Sequence, residues 1–242
     1  MPILIPRTWT VILGEASYAD KVNSIAGNRP VGYWPLWEQT GAVATDISGS
    51  AHHGAYTGVT LGQTGIGDGR TCPLFDGTND YVDVYSASLA AAWPGGTITT
   101  AGWLKVSAAG VWTDTNIRNV TRFLVDGNNY NQMYSDGVGN LVYNIKSGGV
   151  NKAIIQAMGG TTAWVHVAQT LGGGNMKAYM NGVQSGLTQA GLGAWVGAPI
   201  ITECVLGATN ITPGSVWSGY LAHWAIWNTA LSDAQILTLA TV

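Results

Sequence analysis

The stretches YWPL at residues 33–36 and FDGTNDYV at residues 75–82 decide the fold that this sequence predicts. In both, aromatic and aliphatic residues stand beside Pro, Gly, Asn or Asp, as in short strands that end in tight turns. Further β-rich runs occur along the chain, at residues 80–85, 97–106, 120–126, 140–145, 152–157, 163–170, 175–180, 201–206 and 219–227. The Asn181-Gly182 pair is typical of a hairpin turn, because both residues tolerate positive φ.

Two segments carry a helical pattern instead. Tyr18, Val22 and Ile25 fall on one face of a helix within residues 15–27. A second short helix is predicted within residues 230–239, where a Ser-Asp pair can cap it.

Many short strands with Gly-rich turns, and a helix near each end, predict an all-β fold. We expect a two-sheet antiparallel β-sandwich of the jelly-roll type, with a short N-terminal helix and arm and a short C-terminal helix. The sandwich is expected at residues 30–242. Residues 1–29 are expected to form the N-terminal arm, within residues 1–14, and the first helix.

The composition is poor in charge. Only 10% of the 242 residues are charged, against about 25% in an average soluble protein, whereas Gly (34) and Trp (11) are abundant. Such a surface is common in extracellular and virion proteins, and it leaves little repulsion between copies, so we expect a homo-oligomer. The ten Lys and Arg residues form no run, which argues against nucleic acid as a partner.

No segment approaches the ~20 apolar residues of a membrane span, so no membrane partner is expected. Two prolines and Arg7 interrupt the N-terminal apolar stretch, which does not resemble a signal peptide. Release by cell lysis as part of a virus particle is one other way for such a domain to leave the cell.

The cysteines, Cys72 and Cys204, either pair or stay free. Two thiols do not make a disulfide scaffold. Buried free thiols are the favoured interpretation, because unpaired Cys packs as a small hydrophobic residue.

An ordered series of segments resembles a laminin G-like (concanavalin A-like) jelly-roll domain over roughly residues 30 to 240. Its members are YWPL, DISG at 46–49, HHG at 52–54, FDGTNDYV, Trp103, WVHVA at 164–168, YMNG at 179–182, GYL at 219–221 and AIW at 225–227. The lead-in through residues 19–36 is similar to that of laminin G-like domains in bacteriophage tail and virion proteins.

The resemblance includes glycosidases, which need two suitably spaced carboxyl groups. Jelly-roll glucanases carry Glu-x-Asp-x-x-Glu on one strand. This chain has only Glu15, Glu38 and Glu203, far apart, and Asp80 and Asp83 would point to opposite faces of a strand. We therefore expect no catalytic residues and no enzyme activity.

Relatives of this kind also bind calcium through oxygen ligands. Asp46, Asp76, Asn79 and Asp80 are the candidate ligands, and calcium is the one cofactor that the resemblance suggests. Against this, residues 219–224 read GYLAHW where many relatives carry Gly-x-Leu-Asp-Glu-Val. The alternative is that Asp76 and Asp80 flank a tight turn and accept hydrogen bonds from its amides.

The histidines suggest zinc only weakly. His52 and His53 are adjacent, so on an extended chain they point apart. His166 lies in WVHVA, where relatives carry a histidine packed in the sheet, and structural roles are favoured for it and for His223.

Nine of the eleven tryptophans divide into two groups. Five match core positions of the resembled family, namely Trp34, Trp103, Trp164, Trp217 and Trp227. Four others fall in or beside expected loops, namely Trp37, Trp93, Trp112 and Trp195. Loop aromatics either bind a ligand or become buried against a neighbouring subunit.

A sugar site needs a flat apolar ring and directional hydrogen bonds for hydroxyl groups. The loop at residues 112–116 and the segment at residues 126–132 meet this description. The predicted carbohydrate-binding residues are Trp112, Asp126, Asn128, Asn129 and Tyr130.

These observations favour a non-catalytic virion surface or structural protein, a decoration or tail-associated component with a lectin-like domain. Its partners would be other virion proteins, of the capsid or tail, and glycans, and its location the virion surface or the extracellular space. The alternative is a polysaccharide-binding lectin module for adhesion to a host or glycan. A glycoside hydrolase is the second alternative.

Overall fold

The computed structural model describes residues 16–27, 29–93 and 95–242, and sixteen strands and three α-helices lie within these ranges. The strands are, in chain order, β1 Gly32–Trp34, β2 Val43–Ala44, β3 Gly54–Thr57, β4 Thr60–Thr64, β5 Thr71–Asp76, β6 Tyr81–Asp83, β7 Ile98–Val106, β8 Arg118–Asp126, β9 Asn129–Ser135, β10 Asn140–Ser147, β11 Val150–Ala157, β12 Val165–Gly172, β13 Asn175–Met180, β14 Val183–Gln189, β15 Cys204–Leu206 and β16 Ser218–Trp227. The helices are α1 Tyr18–Ser24, α2 Ala87–Ala92 and α3 Asp233–Leu239, with 3-10 turns at Ile25–Gly27 and Ala109–Trp112.

The strands form two antiparallel sheets. The first sheet has the order β14-β13-β12-β7-β16-β5-β4, with β1 also paired to β16. The second sheet has the order β11-β10-β9-β8-β15-β6-β3-β2. Non-consecutive neighbours such as β7 and β16 mean that the chain crosses repeatedly between the layers. The predicted antiparallel β-sandwich is confirmed.

The main core lies between the two sheets. Alternate side chains of each strand point inward, so Met133 and Tyr143 enter the core while their chain neighbours face out. The Tyr143 hydroxyl crosses the core and donates to the Tyr179 carbonyl of the first sheet at 2.9 Å. Of the five tryptophans predicted in the core, Trp34 and Trp217 are buried there. Trp103 and Trp227 are also at most 7% exposed but lie in the apolar layer on the outer face of the first sheet, against which the half-buried Trp164 packs.

A second apolar layer lies on the outer face of the first sheet, beneath α1 and α3. Tyr18 and Val22 of α1 are buried there, as predicted, together with Leu239 of α3. The Tyr18 hydroxyl donates to the Leu239 carbonyl at 2.8 Å and accepts from the Trp103 indole at 2.8 Å. These bonds join both helices to the sheet.

Both predicted helices are present, shorter than expected. A capping box, in which Ser17 and Asp20 bond each other's backbone amides, begins α1. The predicted arm at residues 1–14 lies outside the described residues. The boundary between the N-terminal segment and the sandwich, at residues 29 and 30, remains a prediction. The sequence did not predict α2.

Both cysteines are buried free thiols, which confirms the interpretation favoured from the sequence. Cys72 lies on β5 of the first sheet and Cys204 on β15 of the second. Burial raises the pKa of the Cys72 thiol to about 12 and also raises that of Cys204. Over the described residues, no helix has the length and apolar character needed to cross a membrane.

The packing of Trp224 over β7 gives a testable prediction. A Cβ atom at Gly102 would lie 2.3 Å from Cε3 of Trp224, a fully buried ring. Gly102→Ala should therefore lower the free energy of unfolding by about 1–3 kcal/mol, the usual cost of overpacking a core. Denaturant unfolding measures this change. Gly110→Ala is the matched control, because a Cβ there meets open space; equal stability of the two variants would contradict the packing.

Candidate functional site

The outer face of the second sheet carries a row of polar side chains that hydrogen-bond to one another. They point outward because their neighbours in sequence, such as Phe123 and Met133, fill the core. The row crosses five adjacent strand positions, from the residue before β15 through β8, β9 and β10 to β11. We call it the polar ladder, which consists of Glu203, Arg122, Gln132, Asn144, Asn151 and Tyr130.

Side-chain hydrogen bonds run along the polar ladder. The Arg122 guanidinium donates to Glu203 Oε2 at 2.5 Å and also to Gln132 Oε1. The Gln132 amide donates to Asn144 Oδ1 at 3.0 Å, and the Asn144 amide donates to Asn151 Oδ1 at 2.8 Å. Each amide therefore fixes the orientation of the next in a preorganised row. Asn144 is itself only 5% exposed, so it links Gln132 to Asn151 and does not present its own amide to solvent.

Aromatic rings lie beside the polar ladder. The Arg122 guanidinium sits 5.5 Å from the centroid of the Tyr130 ring, and the Tyr130 hydroxyl donates to Asn151 Oδ1 at 3.3 Å. Tyr134 and Gln132 help to line a shallow cavity of about 190 Å³ that also includes Ile117. The face thus offers half-buried rings next to hydrogen-bonding groups.

A larger cleft of about 550 Å³ shares Ile117 with that cavity. Arg118 supports its wall, donating to Asp114 Oδ2 at 2.6 Å and to the Val216 carbonyl at 2.9 Å. Thr115 and Ser215 on its rim have φ values of 66° and 49°. Left-handed backbone at residues other than Gly is strained and persists where the surroundings hold it, so this rim is rigidly built.

Trp112 does not belong to this face, and the expectation of an exposed loop ring is wrong. The ring is 1% exposed, and its indole donates to the Thr161 carbonyl at 2.8 Å. It packs against Trp217 with ring centroids 5.8 Å apart. The 3-10 turn that ends at Trp112 directs the side chain into the core, which leaves no face for a sugar.

The predicted residues Asp126, Asn128 and Asn129 form the β8–β9 hairpin turn. Asp126 Oδ1 accepts a hydrogen bond from the Asn128 backbone amide at 2.7 Å. This bond is the main cause of the lowered pKa of Asp126. Asn129 is only 4% exposed, and its Oδ1 accepts from the amides of Gly148 and Val196. Asn129 therefore holds three loops together and does not present its amide to solvent.

Of the predicted sugar-binding residues, Tyr130 alone lies on the polar ladder, and Asp126 and Asn128 are exposed at the end of the same hairpin. Gln132 belonged to the predicted segment, whereas Arg122, Asn144, Asn151 and Glu203 were missed. Polar residues at alternate positions of β9 were a sequence signal that could have indicated this face. The strand order that brings the other residues beside β9 has no such signal in the sequence. The assignment of sugar-binding residues stays a prediction.

Asp46 does not fit a calcium site. Its carboxylate is buried and accepts from the Tyr33, Ser48 and His52 amides, each at 2.8 Å, and from the Ser48 hydroxyl at 2.9 Å. Oxygens surrounded by N–H and O–H donors do not offer lone pairs to a cation. This carboxylate instead shapes the loop before β3.

Asp76 and Asp80 form the turn given as the alternative to calcium binding. Asp80 Oδ2 accepts from the Asp76 amide, and Asp76 Oδ1 from the Thr78 amide, both at 2.7 Å. Asn79 is exposed on this turn. Over the described ranges, no three His, Cys, Asp or Glu side chains come together as metal ligands would. The calcium prediction gains no support from this arrangement.

His166 and His223 occupy structural positions. His166 is fully buried beside Trp103, and burial lowers the pKa of His166 to about 3. His223, at a left-handed φ of 53° in a bulge of β16, lies between the Tyr33 hydroxyl, 2.7 Å from Nδ1, and Asp68 Oδ2, 2.9 Å from Nε2. This bond ties the β4–β5 turn to the sheet.

The Asp68–His223 pair predicts a pH dependence. Burial alone would raise the pKa of Asp68, but its hydrogen bond and charge interaction with His223 bring this pKa below its usual value. A lowered pKa in the folded state stabilises the protein above the unfolded-state pKa, and the contribution is lost as pH falls through the folded-state value. Asp68→Asn should therefore cost about 1.5–3 kcal/mol at pH 7, and the difference should shrink in acid.

Denaturant unfolding between pH 7 and pH 2 measures this difference. Tyr33→Phe is the matched control, because it removes the other partner of His223 and leaves the carboxylate in place. A constant difference between wild type and Asp68→Asn across this range would contradict the assignment.

Solved structures share this architecture at low sequence identity. The receptor-binding domain of botulinum neurotoxin mosaic serotype C/D matches with a TM-score of 0.67 and 14% identity, over 90% of this chain and 51% of that chain. Domain 4 of AbnA, a GH43 extracellular arabinanase from Geobacillus stearothermophilus, was solved with arabinotriose. It matches with a TM-score of 0.62 and 17% identity, over 88% of this chain and 98% of that chain.

The CBM40 of the Ruminococcus gnavus IT-sialidase, bound to α2,3-sialyllactose, matches with a TM-score of 0.52 and 15% identity, over 67% of this chain and 93% of that chain. This chain spans about half the length of the toxin binding domains it resembles. At these identities the likeness establishes the fold alone.

No curated protein matches the chain significantly. A laminin G-like family model, described as the concanavalin A-like lectin/glucanases superfamily, matches residues 76–237, which is more than half of the chain. The antiparallel two-sheet sandwich agrees with this match. The chain therefore belongs to the laminin G-like family of the concanavalin A-like lectin/glucanases superfamily.

Proposed function

We propose that this protein is a non-catalytic glycan-binding domain that acts through the polar ladder. The observation that carries this proposal is the continuous hydrogen-bonded row from Glu203 to Asn151, with Tyr130 beside it. Sugar recognition combines an apolar ring face with convergent polar groups. A preorganised row also lowers the entropic cost of binding.

The shape of the face favours an extended chain as the ligand. The polar ladder covers four steps between adjacent strands, or ~19 Å at about 4.8 Å a step. Asn151 is exposed at its β11 end, and the shared cavity at Ile117 lies beside the β8–β9 part of the face. A chain lying across the strands would contact several ladder residues at once.

The charges favour an uncharged sugar. The only charged members of the polar ladder, Arg122 and Glu203, are bonded to each other and only 20% exposed. The ammonium of Lys146 lies at the margin of the face, outside the row, and uses one of its three N–H donors on the Gly127 carbonyl at 2.6 Å. Acidic ligands are usually recognised by Arg or Lys groups that are free to bond them, whereas amides and hydroxyls suit neutral hydroxyl groups.

The comparisons support this proposal at the level of the fold. Domain 4 of AbnA was solved with arabinotriose, and the CBM40 domain with α2,3-sialyllactose. The toxin domains are receptor-binding domains. The toxin domains and CBM40 are binding domains, which agrees with a non-catalytic role.

The glycoside hydrolase remains the less favoured alternative. Glycosidases need two carboxyl groups at a defined separation, ~5–5.5 Å in retaining enzymes. The polar ladder contains one carboxylate, that of Glu203, and Arg122 neutralises it. If the purified protein released reducing sugar, and Glu203→Gln abolished this release, the glycoside hydrolase would become the favoured interpretation.

The proposed setting is the surface of a virus particle. The similarity of residues 19–36 to bacteriophage tail and virion domains supports it, as do the 10% of charged residues and the abundance of Gly and Trp. In this setting the protein is a decoration or tail-associated component, partnered by other virion proteins and by copies of itself. Glycan adhesion is compatible with that role.

Replacing Tyr130 tests the glycan-binding face. Tyr130→Ala removes a ring face and a hydroxyl group, and we expect affinity for a bound polysaccharide to fall about tenfold. Gln132→Ala should lower it about three- to tenfold. Affinity electrophoresis against neutral and acidic polysaccharides measures both changes.

Tyr220→Ala is the matched control for Tyr130→Ala. Tyr220 is also half-buried beside a cation, with Lys105 5.3 Å from its ring centroid, but it lies on the outer face of the first sheet. Its loss should leave the affinity unchanged. Equal effects of the two alanine variants would remove the polar ladder from the site.

We propose that the N-terminal arm at residues 1–14 anchors the protein to the particle, and deleting these residues tests that role. We expect the truncated protein to keep the circular dichroism spectrum and melting temperature of a folded sandwich. It should fail to be incorporated into particles in a complementation assay with sedimentation. Normal incorporation of the truncated protein would show that the arm is not the anchor.

A further inference from the structure

We propose a second saccharide site, on the opposite side of the sandwich from the polar ladder. It rests on the proposed function and extends it, because two sites would make one chain bivalent. We call it the α3 cleft, which is lined by Thr170, Gly172, Asn175, Lys177, Thr188 and residues 230–234.

The position of the α3 cleft follows from the strand pleat. Met176 and Ala178 of β13 point into the core between the sheets, so Lys177 between them points to the outer face of the first sheet. The polar ladder lies on the outer face of the other sheet. The two sites are therefore separated by both sheets and the core.

The size and floor of the α3 cleft suit a small ligand. Its volume is about 550 Å³, within the ~300–1,000 Å³ that ligand sites occupy. Leu231 and Thr170 in its lining are 3% and 4% exposed. A Cβ at Gly172 would lie 2.8 Å from the Ala230 Cβ, so Gly at this position permits the close approach of β12 to residue 230.

The polar groups at the rim leave bonding capacity for a ligand. Asp233 Oδ1 accepts from Lys177 Nζ at 2.9 Å and from the Tyr179 hydroxyl at 2.7 Å. Both donors use the same oxygen, Oδ1, and no other side chain among the described residues donates to this carboxylate. The ammonium has three N–H donors, so it keeps two. Hydrogen bonds from Lys177 and then Tyr179 lower the pKa of Asp233, so the carboxylate is ionised near neutral pH.

A free carboxylate oxygen beside free ammonium donors complements a vicinal diol, since each hydroxyl group both donates and accepts a hydrogen bond. Thr188 and Ser232 add hydroxyl groups around the same opening. Lys177 and Asp233 neutralise each other, which favours an uncharged sugar, the class proposed for the polar ladder. Such a chain could be held at either face.

Two classes of variant separate the sites. Tyr130→Ala with Gln132→Ala disables the polar ladder. Lys177→Met with Thr188→Trp removes the ammonium and fills the α3 cleft. Lys177 and Asp233 are 36% and 64% exposed, and exposed ion pairs contribute only ~0–1 kcal/mol, so the cleft variant should fold, as a thermal melt will check.

Affinity electrophoresis in arabinan, xylan, mannan and dextran gives the first readout. A polymer that retards the native protein should still retard the ladder variant, Tyr130→Ala with Gln132→Ala, but more weakly. The variant that combines all four substitutions should not be retarded. The second readout is turbidity with the same polymer. At equal oligomeric state, native protein should cross-link the chains, and the cleft variant should cross-link them at least tenfold less.

The outcomes distinguish this inference from the proposed function. If the ladder variant loses all binding and the cleft variant cross-links like native protein, glycan binding stands and the second site is refuted. If none of the polymers retards the native protein, glycan binding by uncharged chains fails, and the second site fails with it.

Discussion

The two-residue period of the β-strand determines both the core and the outer surface of this protein. In β9 and β10, Met133 and Tyr143 point inward while Gln132 and Asn144 point outward and bond each other. A slip of one residue in either strand would move the polar groups into the core and expose the apolar ones. The stability of the core therefore also fixes the register of the polar ladder, which needs no further device to hold it.

The helices decide which outer face stays open. Strands β7, β12 and β16 of the first sheet are buried almost continuously, because core side chains cover one face and α1 and α3 cover the other. Strand β9 of the second sheet alternates strictly between buried and half-buried residues. The outer face of the second sheet is thus left open, which is the face of the proposed glycan site, whereas the first sheet is open only at its margin, where α3 begins.

Local sequence signals were enough to predict the fold, the burial of Trp34 and Trp217 in the core, and the turn of Asp76 and Asp80, since these depend on neighbours in the chain or on strand period. Trp112 was misplaced because a 3-10 turn, which has no clear signature here, directs its ring inward. The polar ladder joins residues 122, 132, 144, 151 and 203, and β15 lies between β6 and β8 in the sheet. Only the strand order, which no local pattern encodes, brings Glu203 beside Arg122.

The two buried thiols make local opening of the folded protein measurable. Cys72 and Cys204 lie on different sheets, and their raised pKa values keep both protonated and unreactive in the folded state. A thiol reagent can reach each one only when its own sheet opens. The labelling rate of Cys72 thus reports how often the apolar layer on the outer face of the first sheet opens, and that of Cys204 how often the sheet that carries the polar ladder separates from the core.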